Sequence, residues 1–176
     1  TAGVSLKVTD NITTDHIMPA GAKILPLRSN IPEISKYCFN VCDETFHDRA
    51  LEMGKSIIIG GANYGQGSSR EHAALAPLYL GVKAVITKSF ARIHAANLIN
   101  AGIIPLTFEN ESDYDKIEQG DELSIENVRE QIASSETVTV KDVTKGFTFN
   151  AKADFSKRQR DMLLAGGLLN YTKQNS

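Results

Sequence analysis

The stretch Ile57–His72, IIIGGANYGQGSSREH, decides how this chain folds and indicates where it acts. The apolar run from Ser56 to Gly60 predicts a buried strand, because it is too short for a typical helix. A glycine-rich turn follows, and the residues from Ala73 onward favour a helix. A strand, a tight loop and a helix start leave unpaired backbone N–H groups at the end of the loop. Such a position binds anions, or stabilises an oxygen that becomes negative during a reaction.

Ser68 lies at this helix start and has two interpretations. With Glu71 it fits the S-x-x-E capping box, which is common in ordinary helices, so residue types alone favour a cap. Alternatively it is an activated oxygen, with the guanidinium of Arg70 two residues away. The loop contains four glycines, which let a backbone approach a ligand closely: Gly60, Gly61, Gly65 and Gly67. This excess of glycine shifts the balance towards a ligand site.

Two common phosphate-binding motifs are absent from this loop. A P-loop requires Gly-Lys-Ser/Thr, whereas Gly67 is followed by Ser-Ser-Arg. The glycine spacing also differs from the G-x-G-x-x-G fingerprint of dinucleotide-binding proteins. Nucleotide binding is therefore a weak alternative, and a small carboxylate or phosphate held by Arg70 and the helix start remains open.

Composition is that of one globular domain, residues 1–176, with 41% hydrophobic residues and a net charge of −2. The pI near 6.1 offers no basic field for nucleic acid or an anionic membrane. No apolar run approaches the length of a membrane helix. Residues 1–8 do not resemble a signal peptide. The chain begins without Met, so this says nothing about a longer parent protein.

The two cysteines, Cys38 and Cys42, are four residues apart, and nothing supports a disulfide between them. Their scarcity fits a reducing compartment. Cys42 and His47 are too few for a zinc or iron–sulfur site, which requires about four ligands. We therefore expect no metal site built from this chain alone.

The pattern along the chain predicts an α/β fold. We expect an opening strand and an Asp15–His16 loop within residues 1–20, a loop around Arg28 between two prolines, and an acidic loop over 109–126. Pro77 should end or kink the helix that follows the glycine loop. Strand, helix and strand alternate through the middle of the chain, which favours a small parallel core, and shorter antiparallel strands follow. The remaining expected elements are helices over 44–52 and 91–101, strands over 84–87, 103–108, 123–125, 137–140 and 147–150, and a C-terminal helix capped by Ser156 and Gln159.

Four separated motifs, in the right order, closely resemble the aconitase family. The resemblance runs from about Asp10 to Tyr171 and concerns the C-terminal swivel domain of that family rather than the whole enzyme. The motifs are Asn63–Leu75, Asp15–Gly21, Thr87–His94 and Arg158–Leu169. The resemblance implies a swivelling β/β/α domain, which agrees with the α/β pattern.

The resemblance also implies a reaction and a set of residues for it. The family moves a hydroxyl between adjacent carbons of hydroxy-tricarboxylates such as citrate, with a [4Fe–4S] cluster that other domains or another subunit hold. By resemblance Ser68 is the base, while Arg28, Ser69 and Arg70 bind substrate. Asp15 orients its neighbours, and His16 and His72 support the loops. A buried His94 with satisfied hydrogen bonds is the expected structural role for that residue.

Several alternatives remain open. The isopropylmalate isomerase and homoaconitase small subunits also carry a GSSREH loop, although Asp15–Ile17 and Ala73–Leu75 look more like aconitase. A non-catalytic carboxylate-binding module would need Arg28 and Arg70 but not Ser68. RNA binding is disfavoured by the acidic pI. The expected partners are the cluster-bearing domains and a tricarboxylate, without nucleic acid or membrane, in the cytoplasm or the mitochondrial matrix.

Overall fold

The computed structural model describes residues 2–17, 36, 38–39, 43, 45–66, 72–125, 130–132, 135–153 and 155–165. Seven strands form a closed barrel in the order β1-β2-β3-β4-β7-β6-β5, in which β5 pairs with β1. The strands are β1 (Ala2–Lys7), β2 (Ser56–Ile59), β3 (Val82–Thr87), β4 (Ile104–Phe108), β5 (Glu122–Ser124), β6 (Thr137–Asp142) and β7 (Phe147–Lys152). Among these residues, no helix is long and apolar enough to cross a membrane.

Half of the barrel is parallel. Strands β1 to β4 pair side by side in one direction, and the register sets Ile58 opposite Val85. All four residues of β2 are buried, because helices cover this part of the sheet on its outer side. A parallel strand buried on both faces is apolar without interruption, which is the pattern of Ser56–Ile59 in the sequence.

The other half is antiparallel and closes the barrel. Strand β7 pairs with β4 and β6, and β5 joins β6 to β1. In β6 exposed and buried residues alternate, as expected for a strand with one face towards a core. The mixed α/β prediction is therefore confirmed, while the closure into a barrel was not predicted from sequence.

Six helices are described: α1 (Thr14–Ile17), α2 (Phe46–Met53), α3 (His72–Tyr79), α4 (Arg92–Ala101), α5 (Asp113–Lys116) and α6 (Lys157–Ala165). Helix α4 ends at Gly102 in the left-handed conformation, as the sequence predicted. Helix α3 contains Pro77 and ends two residues later. The predicted cap of α6 is present, since Ser156 N donates to Gln159 Oε1 (2.9 Å) and Gln159 N donates to Ser156 Oγ (3.2 Å).

The core consists of two apolar clusters, one on each face of the parallel strands. Ile57 and Ile59 belong to the cluster that includes the antiparallel strands. Ile58, between them, belongs to the cluster that includes α2, α3 and α4. This alternation follows from the two-residue period of a strand. The barrel is thus filled on the inside and covered by helices on the outside.

Two local predictions were wrong. Asp15 and His16 lie in the one-turn helix α1 rather than in a loop. The acidic stretch 109–126 is not a simple solvated loop, because it contains α5 and β5 and buries Asp113 and Asp121. Charged residues are normally exposed unless paired, so composition alone points the wrong way here. Cys38 is buried, and Cys42 lies outside the described residues.

Candidate functional site

Three connections meet at the carboxyl ends of neighbouring parallel strands. They are residues 8–13 after β1, residues 60–66 after β2 and residues 88–91 after β3. The carboxyl edge of a parallel sheet is where α/β proteins commonly bind ligands. We refer to these three connections together as the loop cluster.

Backbone hydrogen bonds tie the first two connections together. Asn11 N donates to Ala62 O (2.7 Å), and Gly65 N donates to Ile12 O (2.6 Å). Thr14 N donates to Gln66 O at 2.7 Å, next to a parallel bridge between Thr13 and Gln66. Because these bonds continue the β1–β2 pairing, the connections are held as an extension of the sheet.

The second and third connections are joined in the same way. Tyr64 N donates to Ser89 O (3.0 Å), and Ala91 N donates to Tyr64 O (2.8 Å). The hydroxyl of Ser89 accepts a hydrogen bond from Asn63 N at 2.8 Å. The buried Tyr64 ring packs edge-to-face on Phe90, with centroids 5.8 Å apart. Tyr64 therefore links the loop after β2 to the loop after β3.

Asp10 is an organising residue that the sequence reasoning missed. Its Oδ1 accepts a hydrogen bond from Ala62 N at 2.8 Å. A β-carbon at Gly61 would collide with the same carboxylate and with the backbone of Thr9. The only sequence signal was an aspartate three residues beyond the end of β1, a common arrangement that does not reveal its partner.

The glycines have a different explanation from the one that the sequence suggested. A β-carbon at Gly60 would come within 2.8 Å of the Tyr64 ring, and one at Gly65 would collide with the imidazole of His94. Gly65 also has a φ of 90°, which favours glycine. Gly60, Gly61 and Gly65 are thus required for packing against this chain's own side chains. Gly67 lies outside the described residues.

His94 packs against the connection after β2, and its environment differs from the predicted one. The side chain is 2% exposed, and neither ring nitrogen has a hydrogen-bond partner among the described residues. The expectation of a satisfied histidine is therefore wrong. Burial lowers the pKa of His94 to about 4, so the ring is neutral at physiological pH. A neutral ring can pack against Gly65 and Tyr64, whose ring lies 5.5 Å away, without burying a charge.

His16 turns back on the start of its own helix. Its Nδ1 accepts a hydrogen bond from Thr13 N at 2.9 Å, and His16 N donates to Thr13 Oγ1 at 3.2 Å. Thr13 also forms a parallel bridge with Gln66, so His16 holds the residue that pairs with the glycine-rich loop.

The residues predicted to react with or bind substrate are not among the described residues. Arg28, Ser68, Ser69 and Arg70 lie outside the described residues, as do the side chains of Asp15 and His72. The two ends that flank 67–71 are described: Gln66 is bonded to Thr14, and α3 begins at His72. In the sequence, residues 67–71 connect Gln66 of the loop cluster to the first residue of α3.

Tyr114 contacts the loop cluster through Val8 and has two lysines close to its ring. Tyr114 donates its hydroxyl hydrogen to Val8 O at 2.6 Å. The ammonium groups of Lys7 and Lys88 lie 4.4 and 4.7 Å from its ring centroid. Burial, and then the neighbouring Asp10, raise the pKa of Tyr114. Both lysines are positioned by the aromatic face, and Lys88 thereby has a packing role.

In the described part of the chain, no group of three or more His, Cys, Asp or Glu side chains comes together in a way that could hold a metal ion. These residues therefore do not provide the thiolate set that an iron–sulfur cluster requires.

The family model of the aconitase C-terminal domain matches residues 36–111. A probable mitochondrial aconitate hydratase of Dictyostelium discoideum is 48% identical over 97% of this chain, and the match covers 25% of that protein. This chain thus spans about a quarter of the length of such aconitate hydratases.

Shorter relatives are matched over most of their length. The methanogen homoaconitase small subunit of Methanocaldococcus jannaschii is 37% identical, with 98% of this chain and 91% of that protein covered. The 3-isopropylmalate dehydratase small subunit 2 of Archaeoglobus fulgidus is 38% identical, with 98% and 94% covered.

A solved structure has the same fold. The crystal structure of 3-isopropylmalate dehydratase from Methanocaldococcus jannaschii matches with a TM-score of 0.81 and 35% identity, over 98% of this chain and 93% of that one. This chain is therefore a member of the aconitase family, related both to the C-terminal portion of aconitate hydratases and to isopropylmalate and homoaconitase small subunits.

Proposed function

We propose that residues 1–176 form the swivel domain of an aconitate hydratase. In this role the chain supplies the base and the carboxylate-binding arginines for the isomerisation of citrate and isocitrate through cis-aconitate. The observation that carries the proposal is the hydrogen-bonded loop cluster at the carboxyl ends of the parallel strands. The connection after β2 is described as far as Gln66 and α3 begins at His72, so in the sequence the Ser68 segment joins the loop cluster to α3.

Ser68 is proposed to remove the proton from the substrate carbon. A serine hydroxyl is a poor base, so its alkoxide needs strong stabilisation. The N-terminus of α3 and the guanidinium of Arg70 supply stabilisation of the kind found in oxyanion holes. The proton then resides on the Ser68 oxygen until it returns to carbon or passes to solvent.

Arg28, Ser69 and Arg70 are proposed to hold the substrate carboxylates. A guanidinium binds a carboxylate through two parallel hydrogen bonds, which fixes orientation as well as charge. Orientation matters because a misplacement of about 1 Å can reduce the rate roughly a hundredfold. The loop cluster favours such accuracy, since its backbone is bonded to the barrel rather than free.

Asp15, His16 and His72 are proposed as supporting residues. Asp15 orients Arg70 or Arg28 through its carboxylate, and His72 stabilises the turn into α3. His16 acts through Thr13, to which its ring and its backbone are both bonded. None of these three is assigned a direct part in proton transfer.

The proposed partner is the set of cluster-bearing aconitase domains, on the same polypeptide or as a separate subunit. Those domains, rather than this chain, are proposed to hold the [4Fe–4S] cluster, because the described residues do not form its ligand set. The proposed location is the cytoplasm or the mitochondrial matrix, and several related aconitate hydratases are named as mitochondrial.

The test combines this chain with the cluster-bearing component and measures turnover of citrate, isocitrate, homocitrate and isopropylmalate. We expect citrate and isocitrate to react fastest, and each component alone to be inactive. The cluster-bearing component alone is the control. Turnover confined to isopropylmalate or homocitrate would reject the aconitate hydratase assignment.

A second candidate is a small subunit of isopropylmalate isomerase or homoaconitase. It is favoured by the shorter relatives, which this chain covers over 91% and 94% of their length. The same four-substrate assay separates the two candidates. The chemistry assigned to Ser68, Arg28 and Arg70 is shared, and only the substrate side chain differs.

A further inference from the structure

A second concave site lies at the other end of the barrel from the loop cluster. It is a cavity of about 490 Å³ at the amino ends of the parallel strands. Its wall is mainly aliphatic and includes strand residues and residues of α6: Ile57, Ala84, Ile104, Leu123, Leu163 and Leu164. A volume of this size is typical of small-molecule sites.

Two lysines border this cavity. Lys55 immediately precedes β2 and Lys83 is the second residue of β3. The register pairs Ser56 with Val82, so both lysines belong to neighbouring strand ends. Both are exposed, and neither forms a salt bridge within the described residues. The cavity is thus apolar inside and positive at its border.

We propose that this cavity binds an aliphatic monocarboxylate, with its chain among the apolar side chains and its carboxylate between Lys55 and Lys83. The aliphatic wall favours a hydrocarbon body, because burial of apolar surface drives binding. Two ammonium groups that form no salt bridge with the described residues favour one anionic head. A tricarboxylate does not suit this wall, since burying its further charges without partners is unfavourable. The site therefore takes a different ligand class from the one proposed for the loop cluster.

The probes are octanoate and decanoate, with octanol and citrate as matched comparisons. Two-dimensional amide NMR of the full chain should show saturable shifts at Gly102 and Ile125 with either carboxylate. Octanol should bind more weakly because it lacks the charge, and citrate should not shift these signals. Since the assay measures binding alone, its result does not depend on the proposed reaction.

Charge variants test the role of the lysines. The double variant Lys55→Glu with Lys83→Glu should weaken octanoate binding roughly tenfold, because two attractive charges become repulsive. The matched control, Lys141→Glu with Lys152→Glu, makes the same change in net charge at exposed lysines outside the cavity. It should leave the affinity within about twofold, because exposed charges at a distance are screened by salt.

A cavity-filling variant tests the site without altering charge. Ala2 is half-buried in the cavity wall, so Ala2→Phe should occupy part of the space and weaken decanoate binding more than octanoate binding. Absence of saturable shifts at millimolar carboxylate, or equal effects of the two double charge variants, would overturn the proposal. Self-association in sedimentation experiments that Ala2→Phe abolishes would also overturn it, and would assign the cavity to a second copy of this chain.

Discussion

The loop cluster and the region where β5 pairs with β6, which we call the seam, are stabilised by different contacts. In the loop cluster, backbone groups bond to backbone groups, and glycines allow close contact with Asp10, Tyr64 and His94. Where β5 pairs with β6, buried charged side chains add to the backbone pairing of the two strands. The comparison shows that the site region is held by backbone hydrogen bonds and close glycine packing, whereas the β5–β6 region adds buried charges to its backbone pairing.

The seam is built around two buried carboxyl groups. Lys145 Nζ donates to Asp121 Oδ2 at 2.9 Å, and the same oxygen accepts from Glu118 N at 3.0 Å. Asp142 Oδ1 accepts from Lys145 N at 3.0 Å, while its buried Oδ2 accepts from no donor among the described residues. Burial and the adjacent Asp121 raise the pKa of Asp142. The raised pKa means that this buried site favours the uncharged carboxyl of Asp142 over its carboxylate.

The largest expected effect tests whether the loop cluster serves chemistry or only structure. Ser68→Ala should reduce kcat by roughly 10²–10⁴ in the complete enzyme, with substrate still bound, because the base is lost. A lost helix cap alone would cost about 0.5–2 kcal/mol of stability and leave turnover largely intact. Steady-state kinetics together with thermal unfolding separate the two roles. If Ser68→Ala turns over within a few-fold of the unchanged protein, Ser68 acts only as a helix cap.

The next prediction isolates glycine packing in the loop cluster. Gly65→Ala should lower the free energy of unfolding by about 2–4 kcal/mol, because the new methyl group meets His94 at a strained φ. Gly120→Ala is the matched control, since Gly120 has a φ of 97° and nothing within 4 Å of the added carbon. It should cost about 1 kcal/mol from the backbone alone. Equal losses in urea unfolding would show that the His94 contact is unimportant.

Replacing Arg28 or Arg70 by lysine should have a smaller effect, which appears in substrate binding. Arg28→Lys and Arg70→Lys keep the charge and remove the paired hydrogen bonds, so each should raise KM about tenfold. Arg158→Lys, at an exposed position in α6, serves as the control and should leave KM unchanged. Unaltered kinetics for Arg28→Lys would place that residue outside the substrate pocket.

The smallest effect concerns the seam and its pH dependence. Since the folded state raises the pKa of Asp142, this group contributes most stability below its ordinary pKa of 3.8, and the contribution is lost as pH rises through the raised value. Asp142→Asn keeps the uncharged form, so its unfolding free energy should fall less than that of the unchanged protein as the pH rises above 3.8.

Asp121 should show the opposite dependence. Its pKa is lowered in the fold by hydrogen bonds from Asp142, Glu118 and Lys145, although burial opposes the shift. Its contribution is therefore present above 3.8 and is lost as pH falls through the lowered value. Asp121→Asn should cost about 1–3 kcal/mol at neutral pH, because it disturbs the acceptor of two bonds. If urea unfolding gives the two variants the same pH profile, the opposite pKa shifts of Asp121 and Asp142 are rejected.

Sequence reasoning succeeded where a residue's role is local. The apolar period located Ser56–Ile59, the position of Gly102 marked the end of α4, and Ser156 with Gln159 marked the start of α6. Each of these signals depends on neighbours within a few residues. The parallel order followed from the alternation of strand and helix, because a helix between two strands returns the chain to the end of the sheet where the first strand began.

Apart from the one-turn helix α1, the failures concern contacts between distant segments. Asp10 meets Gly61 and His94 meets Gly65 only after the barrel has formed, and nothing in the residue types specifies those pairs. Gly60, Gly61 and Gly65 lie against other parts of this chain, and a missing β-carbon in the sequence does not reveal these neighbours. The buried Asp121 and Asp142 were hidden in the same way, since only the fold brings them together.

The continuous hydrogen bonding of the loop cluster has a consequence for its exchange behaviour. Loop amides usually exchange with solvent through small local fluctuations, whereas amides in a sheet wait for a cooperative opening. Gly65 and Thr14 donate their N–H groups to carbonyls across the cluster, so they should exchange with the same opening event as Ile58 in β2. A destabilising substitution anywhere in the barrel would then also increase the fraction of molecules in which these loops are open.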